Sequence, residues 1–225
     1  MKVNVFKPPC LQYVSAKLPP HLISALLNDA NYLCVAADKM GYEKSLVGSF
    51  HNGEQIAIQP AGEKMVEGFE SFKVLAETKL QLADTFVSSY YSDIPKSRHR
   101  PFDTSISDIW LNVQKEGDFN PVHNHNCINH KTGISCFVWL QFPAQVLESS
   151  KTASEKAEHR GMTYLHWGST MPRYSQEFQY PKEVGLMPVE GVLIMFPSWL
   201  EHVVYPFSGP GKRISIATNI NVDYK

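Results

Sequence analysis

The chain contains no CxxC pair, and its four cysteines, Cys10, Cys34, Cys127 and Cys136, follow no zinc-knuckle spacing. The expectation is free thiols in a reducing compartment. No apolar run reaches the ~18 residues that a membrane-spanning helix requires. Met1 to Cys10 carries lysine but no apolar core, so no signal peptide is expected and the expected location is the cytoplasm. Charge of one sign is lacking too: the net charge is −1, and no basic run of five or more exists. Nucleic acid is therefore not an expected partner. Internal repeats and low-complexity segments are absent as well.

What is present is ordinary globular composition: 225 residues, 43% of them hydrophobic and 19% charged, with nine histidines. That length suits one domain with a real core. Pro19-Pro20 opens a helix-like run to about Ala37, in which Leu22, Ile23, Leu26, Leu27, Tyr32 and Leu33 fall near helical spacing. Residues 39–61 read as glycine-broken loop with a short strand at Gln55 to Gln59. The clearest helix is 63–91, where Val66, Phe69, Phe72, Leu75, Leu82, Phe86 and Tyr90 form one stripe.

From Ser105 the texture changes. Ile106 to Gln114, Gly133 to Phe142, Met162 to Trp167, Val184 to Met187, Gly191 to Phe196 and Lys212 to Val222 read as strands, and Glu148 to Arg160 as a surface loop or short helix. Short strands without intervening helices predict an antiparallel sandwich or jelly roll. The expected fold is mainly β with N-terminal helices on its outer face. It is read as one domain, 1–225, with a helical support region at 19–104 and a β-core at 105–222.

Within that core, His123 and His125 stand two apart in an extended context, so their rings fall on the same side. His202 follows 77 residues after His125, and Arg213 eleven residues after that. Imidazole suits a borderline transition metal, and three ligands on one face of an octahedral ion leave three positions for oxygen chemistry. His130 and Cys127 compete as ligands but lie in loop-like sequence. His166 alternates into a strand and is a candidate for a substrate or supporting role. His21, His51, His99 and His159 belong to no constellation and read as surface residues. Arg213 to Ile220 alternates strictly, sending Ile214, Ile216 and Ile220 to one face and Arg213, Ser215, Ala217 and Asn219 to the other. Arg213 offers a planar fork for a carboxylate, which Ser215 can supplement; an acidic co-substrate beside the metal is the expectation.

Asn120-Pro121-Val122-His123-Asn124-His125, Gly133 to Leu140, Phe196-Pro197-Ser198-Trp199-Leu200-Glu201-His202 and Arg213 to Ile220 together resemble the iron(II)- and 2-oxoglutarate-dependent oxygenases, above all the prolyl-hydroxylase-like branch of bacteria and tailed phages. The resemblance covers residues 105–222. It implies a double-stranded β-helix (jelly roll, cupin-like). It also implies iron(II) held by His123, His125 and His202, and 2-oxoglutarate held by Arg213 with Ser215. Asn112 and Gln141 are candidates for hydrogen bonds to that co-substrate. Trp110, Trp139, Trp167, Trp199 and Tyr164 are candidates for pocket walls or plain core. The departure is His125, which stands where most relatives carry Asp or Glu; either it ligates or water takes its place.

The implied reaction hydroxylates a small-molecule or peptidyl substrate and releases succinate and carbon dioxide. Two other functions stay open at this point. One is a cupin-like three-histidine metalloenzyme that does not use 2-oxoglutarate. The other is a non-catalytic jelly-roll binding protein. Succinate release separates the first alternative, and metal content the second.

Overall fold

The computed structural model describes residues 11–42, 48–92, 94–125, 133–151 (149–151 as backbone), 161–167 and 183–225. Two antiparallel sheets carry the architecture. The larger contains β1 (Val14–Lys17), β2 (Glu54–Gln59), β3 (Phe102–Gln114), β5 (Gly133–Gln141), β8 (Val192–Pro197) and β10 (Arg213–Tyr224), in the order β1-β8-β5-β10-β3-β2. The smaller contains β4 (Asn120–His123), β6 (Thr163–His166), β7 (Glu183–Leu186) and β9 (Glu201–Val204), in the order β4-β9-β6-β7. Together they form the double-stranded β-helix. Among the described residues no helix is long and apolar enough to cross a membrane.

Helices α1 (Pro20–Val35) and α2 (Glu70–Ser92) cover the outer face of the large sheet. The cause is strand alternation. Ile109, Leu111 and Val113 of β3 and Ile214, Ile216 and Ile220 of β10 share one core cluster with Leu22, Leu26 and Leu33 of α1 and Phe72, Leu75 and Phe86 of α2. Each fully buried side chain of this kind contributes about 1.5–3 kcal/mol. The opposite faces of the same strands are polar and look toward the small sheet. A second cluster, including Trp139, Leu165, Phe196, Leu200 and Phe207, closes the space between the sheets at one end.

Three details depart from the sequence reading. α2 begins at Glu70, and its buried stripe runs through Phe72, Leu75, Lys79, Ala83 and Phe86, while Tyr90 is 53% exposed. Lys79 sits on an apolar face because its Nζ donates to Thr218 Oγ1 (2.6 Å) and to the Ile216 carbonyl (3.3 Å), both on β10. Both edge strands of the large sheet come from before β3: β1, ahead of the 19–104 support region and not expected as a strand, pairs with β8, and β2, within that region, pairs with β3. β4 and β9 are not among the strands expected from the sequence; each is only four residues long and is set by pairing, β4 with β9 and β9 with both β4 and β6. The polar segment after Phe142 opens as α3 (Ala144–Lys151).

Candidate active site

β4 and β9 set His123 directly opposite His202. His123 Nδ1 donates to the Pro121 carbonyl (2.6 Å), and His202 Nδ1 donates to the Leu200 carbonyl (3.2 Å). Because a carbonyl only accepts, both rings are fixed as the Nδ1–H tautomer, and their Nε2 lone pairs are free. The His125 backbone N–H donates to the Ser198 carbonyl, tying the end of β4 to the turn before β9. One potential ligand atom from each of the three rings lies within 4.8 Å of the others. His125 Nε2 stands 3.3 Å from His202 Nε2. Trp110 stacks on the His125 ring at 5.9 Å and 24°.

All three imidazoles are biased toward the neutral form that a metal requires. Burial is the first cause in each case: it lowers the pKa of His123, takes His125 down to about 3, and puts His202 well below 6.5. The other histidines add repulsion at His125 and His202, while an Asn219 side-chain hydrogen bond opposes the shift at His125. At 3.3 Å a proton on His125 Nε2 would bond the His202 Nε2 lone pair, and a metal ion bound by both rings would take that proton's place.

The three histidines line a cavity of about 490 Å³ between the sheets, within the usual small-molecule range. Arg213 and Ser215 line it too. Arg213 is 1% exposed. Its Nε donates to Gln114 Oε1 (2.8 Å), and its Nη1 donates to the carbonyls of Gly161 (2.7 Å) and Tyr205 (3.2 Å). The Phe207 ring lies 5.9 Å from its guanidinium carbon. Among the described residues, buried Nη2 has no partner. Burial lowers this guanidinium to about 9, with nearby Asp118 opposing, so it stays charged at neutral pH. A buried cation with an unused donor on a cavity wall fits a carboxylate.

The remaining expectations divide. Asn112 lines the cavity opposite Ser215, and its Oδ1 accepts from Gln55 Nε2 (2.7 Å). Gln141 is not brought to the site. A register shift pairs Ser215 with Trp139 but Ile214 with Gln141, so the extra residue turns Gln141 toward the face of Ile214. Trp110 and Trp139 line the cavity, Trp167 packs on the second cluster, and Trp199 is 52% exposed. Tyr164 packs edge-on against Tyr205. His166 faces Glu183, with Nδ1 3.5 Å from its carboxylate, and is not among the cavity residues. His21, His51 and His99 are exposed. Cys10, Cys127, His130 and His159 lie outside the described residues.

Sequence reasoning missed Gln114, Asp108 and Tyr42. The signal for the first two was legible: Asp108-Ile109-Trp110-Leu111-Asn112-Val113-Gln114 alternates, with a polar or aromatic residue at every second place. Tyr42 offered no such signal, since it reaches the cavity from the loop before β2.

Residues 108–219 match the family model described as "Putative 2OG-Fe(II) oxygenase". The chain belongs to the iron(II)- and 2-oxoglutarate-dependent oxygenases. These oxygenases use iron(II) and 2-oxoglutarate, so this chain is a dioxygenase. No curated protein sequence matches it significantly. Among solved structures, a prolyl-4-hydroxylase from Pseudomonas putida is similar, with a TM-score of 0.59, 14% identity, and coverage of 94% of this chain and 92% of that one. So is a Trichoplax adhaerens prolyl hydroxylase solved with a hypoxia-inducible-factor peptide fragment (TM-score 0.56, 14% identity, covering 94% and 82%). HygX from Streptomyces hygroscopicus, solved with nickel and 2-oxoglutarate, gives a TM-score of 0.54 at 10% identity, covering 94% and 82%. At these identities the likeness speaks for the oxygenase fold.

Proposed function

We propose that His123, His125 and His202 hold the iron(II) of this oxygenase, and that Arg213, assisted by Ser215 and Asn112, receives the far carboxylate of 2-oxoglutarate. The observation that carries this reading is one cavity lined by three convergent neutral imidazoles and by a buried guanidinium with a free donor. His125 takes the place of the usual carboxylate, and the placement of its ring nitrogen within 4.8 Å of the ligand atoms of His123 and His202 supports ligation by its ring. In this reading residues 1–225 act as one domain, because β10 turns Ile214 and Ile216 to the helices and Arg213 and Ser215 to the cavity.

Bound iron and 2-oxoglutarate supply the oxidising chemistry: 2-oxoglutarate and dioxygen give succinate and carbon dioxide while one oxygen atom passes to the substrate. The chain's own residues bind and orient. Pro121 and Leu200 fix two ring tautomers through their carbonyls. Gln114 aims Arg213. Phe137, Trp139, Phe196 and Val204 line the cavity with apolar surface that excludes water. The substrate is a small molecule or a peptide, the latter by analogy with the Trichoplax complex.

Anaerobic titration with iron(II) and 2-oxoglutarate tests the assignment. The expected result is the weak visible charge-transfer band of the chelate in the unaltered protein. Arg213→Ala should keep the iron and lose about 2–5 kcal/mol of 2-oxoglutarate binding. Unchanged 2-oxoglutarate affinity in Arg213→Ala would remove its role.

A further inference from the structure

The cavity wall built by β3 and β10 is electrically polarised. Along it Arg213 stands opposite Gln114, Ser215 opposite Asn112, Ala217 opposite Trp110, and Asn219 opposite Asp108. Six strand residues, roughly 20 Å, separate the level of Arg213 from the level of Asp108. Trp110, with His125 stacked on it, lies between the two levels. Among the described residues that line the cavity, Arg213 is the only Lys or Arg and Asp108 the only carboxylate. If the arginine end takes the acidic co-substrate, the aspartate end is left for the group to be oxidised.

Asp108 is 6% exposed. Its Oδ2 accepts from the Tyr42 hydroxyl and from Asn219 Nδ2, each at 3.3 Å. Asn219 Oδ1 in turn accepts from Ser135 Oγ at 3.0 Å. With a further hydrogen bond from the Ser107 side chain, the carboxylate is held by neutral donors and makes no ion pair among the described residues. Burial raises the Asp108 pKa although these three hydrogen bonds oppose it, so the carboxylate is left without a counter-charge in a buried place. A cation entering the cavity would supply that counter-charge. Tyr42 and Trp110 pack against each other beside Asp108 (6.1 Å between centroids, 41°) and line the same cavity, an apolar neighbourhood for the alkyl stem of such a guest.

We propose that Asp108, held by Tyr42 and Asn219, receives an ammonium or guanidinium group of the primary substrate, so that this oxygenase acts on a basic molecule. The assignment rests on the oxygenase reading of the same cavity. Its geometry places the basic group beyond the histidines, at the end away from Arg213.

Calorimetry on protein loaded anaerobically with iron(II) and 2-oxoglutarate tests it. The probes are N-acetylarginine amide against N-acetylcitrulline amide, and N-acetyllysine amide against N-acetylnorleucine amide. The first pair keeps shape and removes the charge; the second keeps the alkyl stem and removes the ammonium group. The expected result is a preference of at least about tenfold for the charged member of one pair. Asp108→Asn should abolish that preference and Asp108→Glu should restore part of it. No preference in either pair, or one that survives Asp108→Asn, overturns the proposal. The comparison on the unaltered protein decides even if a variant fails to fold. Agmatine binding as tightly as an arginine-containing blocked octapeptide indicates a small amine substrate; a tighter peptide indicates a peptidyl one. The loading step reports separately on the oxygenase reading: failure to bind 2-oxoglutarate with the charge preference intact sinks that reading and leaves Asp108 its guest.

Discussion

Gln114 accepts the Arg213 Nε–H at 2.8 Å and turns its own Nε2 to Asn120 Oδ1 at 3.0 Å. This chain of contacts aims the guanidinium, because it occupies Nε while Nη2 has no partner among the described residues. Gln114→Leu keeps the volume and removes the acceptor. Loss of a hydrogen bond to a charged group costs about 1.5–3 kcal/mol, so 2-oxoglutarate affinity should fall roughly tenfold or more while iron binding holds. Calorimetry with each ligand separates the two. Equal 2-oxoglutarate affinity in Gln114→Leu would show that Arg213 needs no such support.

The three imidazoles are expected to act as one unit. His123→Ala, His125→Ala and His202→Ala should each lower bound iron(II) by at least about tenfold, by metal analysis after anaerobic loading, with the circular dichroism spectrum retained. Full iron in His125→Ala alone would assign that position to water.

Lys79 carries a pH dependence. It is fully buried, and burial lowers its pKa from 10.5. Between the folded value and 10.5 the unfolded chain holds a proton that the folded chain lacks, so stability rises with pH through that window. Lys79→Met should flatten this slope and raise stability at neutral pH. Urea midpoints from neutral to alkaline pH measure both effects, and a slope unchanged in Lys79→Met would point to another group.

Asp118 anchors the loop before β2. Buried completely, it accepts backbone N–H bonds from His51 (2.7 Å), Asn52 (3.1 Å) and Lys115 (2.8 Å). Asp118→Ala should destabilise by about 3 kcal/mol, since charge-assisted bonds are lost and donors orphaned. Gly53→Ala should act on the same junction, because a Cβ there would lie 2.1 Å from the Val113 carbonyl and 2.5 Å from Asp118 Oδ2. Thermal unfolding checks both. A wild-type midpoint in either variant would mean that the loop relaxes freely.

Much of the site was legible because strands write it in alternation. The alternation puts Arg213, Ser215 and Asn219 on one face of β10 and three isoleucines on the other; the cavity takes the first three and the helix-side core takes Ile214 and Ile216, while Ile220, past a register shift, borders both. The pair His123 and His125 was legible for the same reason. Gln141 was not, because a single extra residue in β5 reverses the face of everything beyond it, and a bulge carries no period of its own. Lys79 was overlooked because a hydroxyl and a carbonyl on a distant strand are what permit an amine on an apolar stripe.

The sequence by itself determined the helices-then-strands order, the apolar faces and the identity of the metal-ligating candidates, since these follow from local periodicity and side-chain chemistry. Only the tertiary structure decided that His202 meets His123 and His125, that Gln114 aims Arg213, and that Tyr42 reaches Asp108. The physical reason is that each of these contacts joins residues far apart in the chain, and their partners are chosen by sheet register and loop closure rather than by neighbouring sequence.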